Sequence, residues 1–381
     1  MYFGLSEEQV SLQETIKKYL EDQAPLEVIK KIAAGDELKT IEIHNGLLDL
    51  GISSLLVPEE FGGLELDLLF AAVVSTALGS GTAPGPFIGA YVMAPLALNL
   101  GGNQSQKEQW LPKISSGELL MGIAISEFIG AREDSGINFK KGKVNGRALF
   151  AIDAKNSDAL IVSNKAGQLF LVDTGSSGIS QTELITVDKT RISTEILFKD
   201  VKAEILPESE KDLGIINKVI DAGRIMLAAD SLGAAQVMLD KAVAYSLERK
   251  QFGRQIGSFQ AVKHMCAEMV AELEPCNAMV WHASHCQENI PHEARLMACH
   301  TKAHISEVSR EVSKTAIEVH GGMGFTDELG LHYWFKRIGL NRQLLGSPEL
   351  VREEAAKIQN FDQAPDVDNK GNDEVGNPLV V

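Results

Sequence analysis

Glu248-Arg-Lys-Gln-Phe-Gly-Arg-Gln-Ile-Gly-Ser-Phe-Gln260 lies between two of the longest helical runs in the chain, Ile215 to Lys250 and Ser258 to Cys286. A stretch with two arginines, two glycines and two phenylalanines between such runs divides two long helices. Arg249 and Arg254 flank Gln251, Phe252 and Gly253, which suits an anionic pyrophosphate beside a planar ring: a guanidinium pairs bidentately and Phe252 can cover an apolar face. The same residues also fit a plain helix end with favourable cations and a glycine stop, and both readings stand on the residues alone.

Further helical runs at His292 to His320 and Glu349 to Gln359 bring the count after Ile215 to four, which predicts a bundle. The run at His292 ends in His320-Gly-Gly-Met-Gly-Phe325, where three glycines either stop the helix or let backbone amides approach a ligand. Upstream, Met121 to Pro207 has short β-rich runs, Ala159 to Ser163, Gln168 to Asp173 and Ser193 to Lys199. Turn residues at Asn145-Gly146, Lys165-Ala-Gly167 and Gly175-Ser-Ser-Gly178 divide this region into a small antiparallel domain or barrel.

The first third reads as helical. Ser6 with Gln9 forms a capping box, and runs follow at Ile41 to Leu50, Leu66 to Leu78 and Gln104 to Ile114, with turns at Pro58 to Gly63 and Gly79 to Pro86. The expected division is therefore a helical domain over 1–120, a β-domain over 121–214, a four-helix bundle over 215–362 and an acidic flexible tail over 363–381.

The chain has 381 residues, 44% of them hydrophobic, and a net charge of -16. That charge disfavours nucleic acid or an anionic membrane as a general partner, so a phosphorylated ligand must meet local cations. No basic leader with an apolar core opens the chain and no run reaches the roughly 20 apolar residues of a membrane span, so the expected location is the cytoplasm. Cys266, Cys276, Cys286 and Cys299 show no Cys-x-x-Cys spacing and read as free thiols.

Two other patterns lose to simpler readings. Gly79-Ser-Gly81-Thr-Ala-Pro-Gly85 resembles a dinucleotide loop but has the wrong last spacing and follows a helical run. His300 and His304, with His282, His285, Cys286 and His292 upstream, lack an acidic partner at ligand spacing, so no metal is expected.

In order and spacing these segments resemble the acyl-CoA dehydrogenase family. Leu56-Val-Pro-Glu-Glu-Phe-Gly-Gly-Leu64 and Gln106-Lys-Glu-Gln-Trp-Leu-Pro-Lys-Ile-Ser-Ser-Gly-Glu118 are also of the family's type, so the resemblance covers nearly the whole chain. It implies an α+β multidomain fold, with an N-terminal helical domain, a middle β-barrel or sheet domain and a C-terminal four-helix bundle. FAD is the implied cofactor, an acyl-CoA thioester the substrate and an electron-transfer protein the acceptor.

The resemblance also implies that FAD lies between subunits. Arg249, Gln251, Phe252, Gln260, Gly321 and Gly322 match residues that one subunit lends to the ADP half of its neighbour's flavin, and Glu318 stands where the family commonly has Gln. On the isoalloxazine side, Ser126-Glu-Phe-Ile-Gly-Ala-Arg-Glu133 keeps only the hydroxyl and the Glu of the family pattern. Leu149-Phe-Ala-Ile152 puts Ala151 where a flavin-bonding Thr is expected.

Oxidation between Cα and Cβ of an acyl-CoA needs a base for the α-proton, and a desolvated carboxylate suits that work. Leu344-Leu-Gly-Ser347 matches the family's Tyr-Glu-Gly-Thr, so Leu345 occupies one base position, and Gly223 occupies the other, just before Arg224, the position of a substrate-binding Arg. The expected role is a base-lacking subunit of a heteromeric (α2β2-type) enzyme of β-oxidation-type lipid or steroid catabolism. The alternatives are a homo-oligomer with a relocated base such as Glu127 or Glu349, or a non-catalytic scaffold on the same fold.

Overall fold

The computed structural model describes residues 4–125 and 136–361. Helix α1, Glu7–Gln23, starts on the expected capping box, with Ser6 Oγ accepting from Gln9 N at 3.2 Å and Gln9 Oε1 accepting from Ser6 N at 2.9 Å. It is followed by α2 (Leu26–Ala33), α3 (Glu37–Asp49) and α4 (Leu68–Ser80). A π-helical turn, Ile88–Met93, then runs into α5 (Ala94–Gly101), and α6 is Gln104–Ser115.

Helix α4 is apolar almost all round, as a helix inside a core must be. Its partner is α8, Ile215–Glu248, and two glycines set their spacing. A Cβ at Gly79 would stand 1.9 Å from Asp230 O, and one at Gly233 would stand 1.9 Å from Thr76 O. Each helix thus admits the other's backbone where it has no side chain.

Among the described residues, eight strands form one mixed sheet: β1 Met121–Ala124, β2 Gly136–Lys140, β3 Lys143–Ile152, β4 Ala159–Ser163, β5 Leu169–Asp173, β6 Ile179–Leu184, β7 Ser193–Lys202 and β8 Glu204–Ile205. The purely antiparallel expectation is corrected at one pair. β1, arriving from α6, inserts between β3 and β4 and runs parallel to β4 with Ile123 opposite Ile161. All four β1 residues are buried, as befits a central strand.

A second correction concerns Asn145-Gly146, which lies inside β3 opposite Asn138 and Ile137. The hairpin turn is Lys141-Gly142, with φ of +51° and +74°, the two-residue turn whose twist suits the strands. Gly146 serves a close approach instead: a Cβ there would meet Gly136 O at 1.8 Å.

After the short α7 (Glu208–Lys211) the long helices are α8, α9 (Gln260–Asn289), α10 (Pro291–His320), α11 (Leu331–Gln343) and α12 (Pro348–Ile358). The expectation of four helical runs after Ile215 missed α11. Its inward face carries Arg337 and Asn341, both fully buried, so its apolar period is broken.

Those polar groups tie the layers together. Arg337 Nε donates to Asp188 Oδ2 at 2.5 Å, and its other nitrogens reach Asp230 Oδ2 at 3.3 Å and Ala83 O at 3.0 Å. Arg191 donates to Asp230 Oδ2 at 2.8 Å and Asn341 Nδ2 to Asp230 Oδ1 at 2.6 Å. The loop before β7, α8 and α11 therefore share one satisfied buried network. No helix among the described residues is long and apolar enough to cross a membrane.

Candidate functional site

Helix α8 ends at Glu248, and Arg249 turns the chain into an extended conformation. Lys250-Gln251 pairs antiparallel with Arg254-Gln255 across a tip made by Phe252 and Gly253, at φ of +54° and +78°. These paired positive angles describe a tight primed turn. Phe252 is 92% exposed. Arg254 lays its guanidinium 3.9 Å over the Phe259 ring, and it, Arg249, Gln251 and Gln260 are all exposed.

At the end of α10, Gly321 has φ +58° and ψ -137°, a region open essentially to glycine alone. Among the described residues, no atom beyond the adjoining ones in the chain lies within 4 Å of where a Cβ on Gly321 or Gly322 would be, so this backbone is open to a ligand. His320 stacks on Tyr245 of the last turn of α8 with ring centroids 4.6 Å apart, and its Nδ1 donates to Ala316 O at 2.7 Å. That stack places the glycine turn at the same end of the bundle as the Arg249 hairpin. An exposed guanidinium, a bare aromatic face and open amides can take a pyrophosphate and a flat ring. Glu318 is exposed at this end of α10 and adds a negative charge there.

The interior near Gly223 is the opposite case. A Cβ on Gly223 would meet Leu345 Cδ1 at 2.5 Å and Met93 Sδ at 2.6 Å. Leu345 is 7% exposed and left-handed, at φ +57°. Arg224 Nε donates to the Leu345 carbonyl at 2.9 Å, while Lys302 Nζ bonds Asn341 O at 2.5 Å and Arg342 O at 3.2 Å just before it. Burial pushes Lys302 well below its usual range.

Arg224 is 1% exposed and committed to protein partners. It grips Glu354 with both terminal nitrogens, at 2.7 and 2.8 Å, and the first also lies 3.6 Å from Cys299 Sγ. Arg295 reaches the same Glu354 at 3.1 Å and Asp221 at 3.2 Å. Burial favours the neutral acid at Glu354, but the Arg224 hydrogen bonds and charge outweigh it and hold the carboxyl below its usual range. Asp221 is pushed up to about 7, by burial first, against the pull of Arg295 and Arg224. The expectation that Arg224 faces substrate meets a guanidinium already neutralised inside the chain. Glu354, Asp221, Arg295 and Cys299 were missed because they are scattered along the sequence and converge only through α8, α10 and α12.

Among the remaining expected residues, Ala151 is buried, just past a left-handed Phe150 where the β3 register slips. Ser126 and Glu127 lie outside the described residues, as does the 363–381 tail. Glu349, one of the two suggested relocated bases, is exposed and bonded to Arg342 at 2.6 Å. The Ser347 hydroxyl, its own backbone N–H and Arg342 hold its carboxyl at about 2, which makes it a poor proton acceptor. Neither of two surface grooves on the bundle, one at Gln236, Leu239 and Val243 and one at Arg310, Ile338 and Gly339, has Gly223, Arg224 or Leu345 in its lining.

The family profile for the acyl-CoA dehydrogenase N-terminal domain matches residues 6–118, and that for the C-terminal domain matches residues 213–359. Isovaleryl-CoA dehydrogenase of Pongo abelii is 27% identical, over 94% of this chain and 90% of its own. Acyl-CoA dehydrogenase IpdE2 of Mycolicibacterium smegmatis is 29% identical, over 93% of this chain and 99% of its own. Among solved structures, the ChsE4-ChsE5 complex of Mycobacterium tuberculosis superposes with a TM-score of 0.85, covering 96% of this chain and 100% of the matched one at 21% identity. The two profiles fall on the helical unit and the helical bundle that flank the sheet, and the chain belongs to the acyl-CoA dehydrogenase family.

Proposed function

We propose that this chain is the base-lacking subunit of a heteromeric acyl-CoA dehydrogenase and lends its Arg249 and Gly321 surface to a flavin held chiefly by a partner chain. FAD is the cofactor of the enzyme, and when bound it supplies the acceptor for the electrons of acyl-CoA oxidation. The residues present fit half of it. Arg249 and the amides around Gly321 and Gly322 would hold the pyrophosphate, with Phe252 and Gln260 beside the adenosine, and the open space at both glycines is the cradle such a group needs. At the other half, Ala151 has no hydroxyl to offer.

The observation that carries this reading is the contrast between the two ends of α8. At its C-terminal end the ligand-binding groups are exposed. In its first half, Gly223 is closed over by Leu345 and Met93, and Arg224 is neutralised by Glu354. A thioester needs a carboxylate at its α-carbon, and apolar packing at 223 and 345 supplies none. That one fold neighbour is a complex of two differently named chains is in keeping with such pairing. A bulky acyl-CoA thioester, such as one carrying a steroid side chain, is the substrate class we assign to the assembly, and an electron-transfer protein its acceptor.

The test is co-expression with a family member that carries glutamate at the position of Leu345. Arg249→Glu in this chain is expected to strip FAD from the purified complex while leaving the two chains associated. Full flavin content in that variant complex would refute the lending of this surface.

A further inference from the structure

At the turn between α9 and α10, His282, Cys286 and Glu293 bring a ring nitrogen, a thiol sulfur and a carboxylate oxygen all within 4.8 Å of one another. His282 and Cys286 are four apart on α9 and share a face, and Glu293 sits in the first turn of α10 across a one-residue connection at Ile290. His282 Nε2 is 3.5 Å from Cys286 Sγ and 3.8 Å from Glu293 Oε2. The His-Cys spacing was visible in the sequence, but the acidic partner arrives only through the helix reversal.

The imidazole of His282 faces both partners at once: the buried Cys286 sulfur lies 3.5 Å from Nε2 and 3.9 Å from Nδ1, and the Glu293 carboxylate approaches Nε2. Three groups able to donate a lone pair thus converge on one point, where a cation takes a pair from each. We propose that His282, Cys286 and Glu293 bind one zinc ion that clamps the α9–α10 turn.

The ligand set is of the borderline-soft kind that selects zinc. Bonds of about 2.0 Å to nitrogen and oxygen and about 2.3 Å to sulfur, at tetrahedral angles, put ligand atoms roughly 3.3–3.6 Å apart. The His282-Cys286 separation already has that value, and the half-exposed Glu293 carboxylate stands 3.8 Å from His282 Nε2 and within 4.8 Å of the sulfur. Water fills the fourth position. On coordination the Cys286 thiol gives its proton to solvent and binds as thiolate, with no change of oxidation state. Because that proton must leave, uptake weakens as pH falls.

The site is far in sequence from every group assigned to the flavin, and its test does not depend on flavin or partner. The full-length chain, free of any affinity tag and stripped by chelator, is titrated with Zn2+ against a chromophoric competitor, and separately with Co2+. Expected are one ion per chain and a thiolate-to-cobalt charge-transfer band. Cys286→Ser should abolish that band, and Glu293→Gln, at a half-exposed side chain, should weaken zinc binding by at least the roughly 10-fold that loss of an outer-shell partner costs, without disturbing the fold. Should Cys286→Ser fail to fold, Glu293→Gln and His282→Gln carry the measurement. A chain that takes up no zinc, or zinc affinity unchanged in Glu293→Gln and His282→Gln, overturns the assignment.

Discussion

Gly223 and Leu345 occupy one another's space: a single carbon added to Gly223 would lie 2.5 Å from Leu345 Cδ1. The two positions at which the family resemblance places alternative bases are thus neighbours in the core, and together with Met93 they leave no room for a side chain at 223. Gly223→Ala is expected to destabilise the chain by about 1–3 kcal/mol, the usual cost of overpacking. Trimming the neighbour should offset part of this, so a double-mutant cycle with Leu345→Ala should give a coupling of about 0.5–3 kcal/mol in denaturant unfolding. Additive losses would mean that the two side chains do not share this space.

Arg224 depends on Glu354. Glu354→Gln leaves a guanidinium buried at 1% exposure facing a neutral amide, with Arg295 losing the same partner. Because Glu354 is itself a quarter exposed, the loss is expected at about 3 kcal/mol, the lower end for breaking a buried pair. The urea midpoint measures it, and a change under about 0.5 kcal/mol would show that Asp221, 3.8 Å from Arg224, already compensates the guanidinium.

His44 makes the fold sensitive to acid. Its Nε2 lies 3.0 Å from Tyr91 Oη, and burial pulls its pKa down to about 4. An unfolded chain protonates it near 6.5, so between these values the unfolded state binds more protons and stability falls as pH falls. The full effect is at most about 3 kcal/mol, present above pH 6.5 and lost by about pH 4. His44→Gln should flatten that part of the stability profile, and an unchanged slope would assign the acid lability elsewhere.

The surface proposed to meet the flavin should separate into tolerant and intolerant positions. Phe252, at 92% exposure, is expected to change stability by less than about 0.5 kcal/mol on replacement by alanine. Gly321→Ala forces a side chain into a glycine-only conformation and should cost about 1–3 kcal/mol. Thermal unfolding of the two variants checks this, and equal effects would contradict the turn geometry.

Much of the fold was legible because local chemistry and tertiary position agree. Ser6 caps α1, the turns at Lys165 to Gly167 and Gly175 to Gly178 separate strands, and the long runs after Ile215 are helices. The reading failed where buried polar groups replace apolar ones, as at Arg337 and Asn341 in α11, and where glycine serves packing, as at Gly146. The exposed half of the candidate site lies in two short segments and could be seen. The closing of the other half could not, because Arg224 is neutralised by a residue 130 positions away and Leu345 matters only through its contact with Gly223.

The central claim is that the chemistry belongs to a partner chain. The most direct measurement is the flavin content of this chain purified alone, followed by anaerobic mixing with acyl-CoA thioesters. The account predicts little or no bound FAD and no bleaching of a flavin spectrum, with both appearing on co-purification with a glutamate-bearing partner. One FAD per chain, bleached by an acyl-CoA in the absence of any partner, would contradict it.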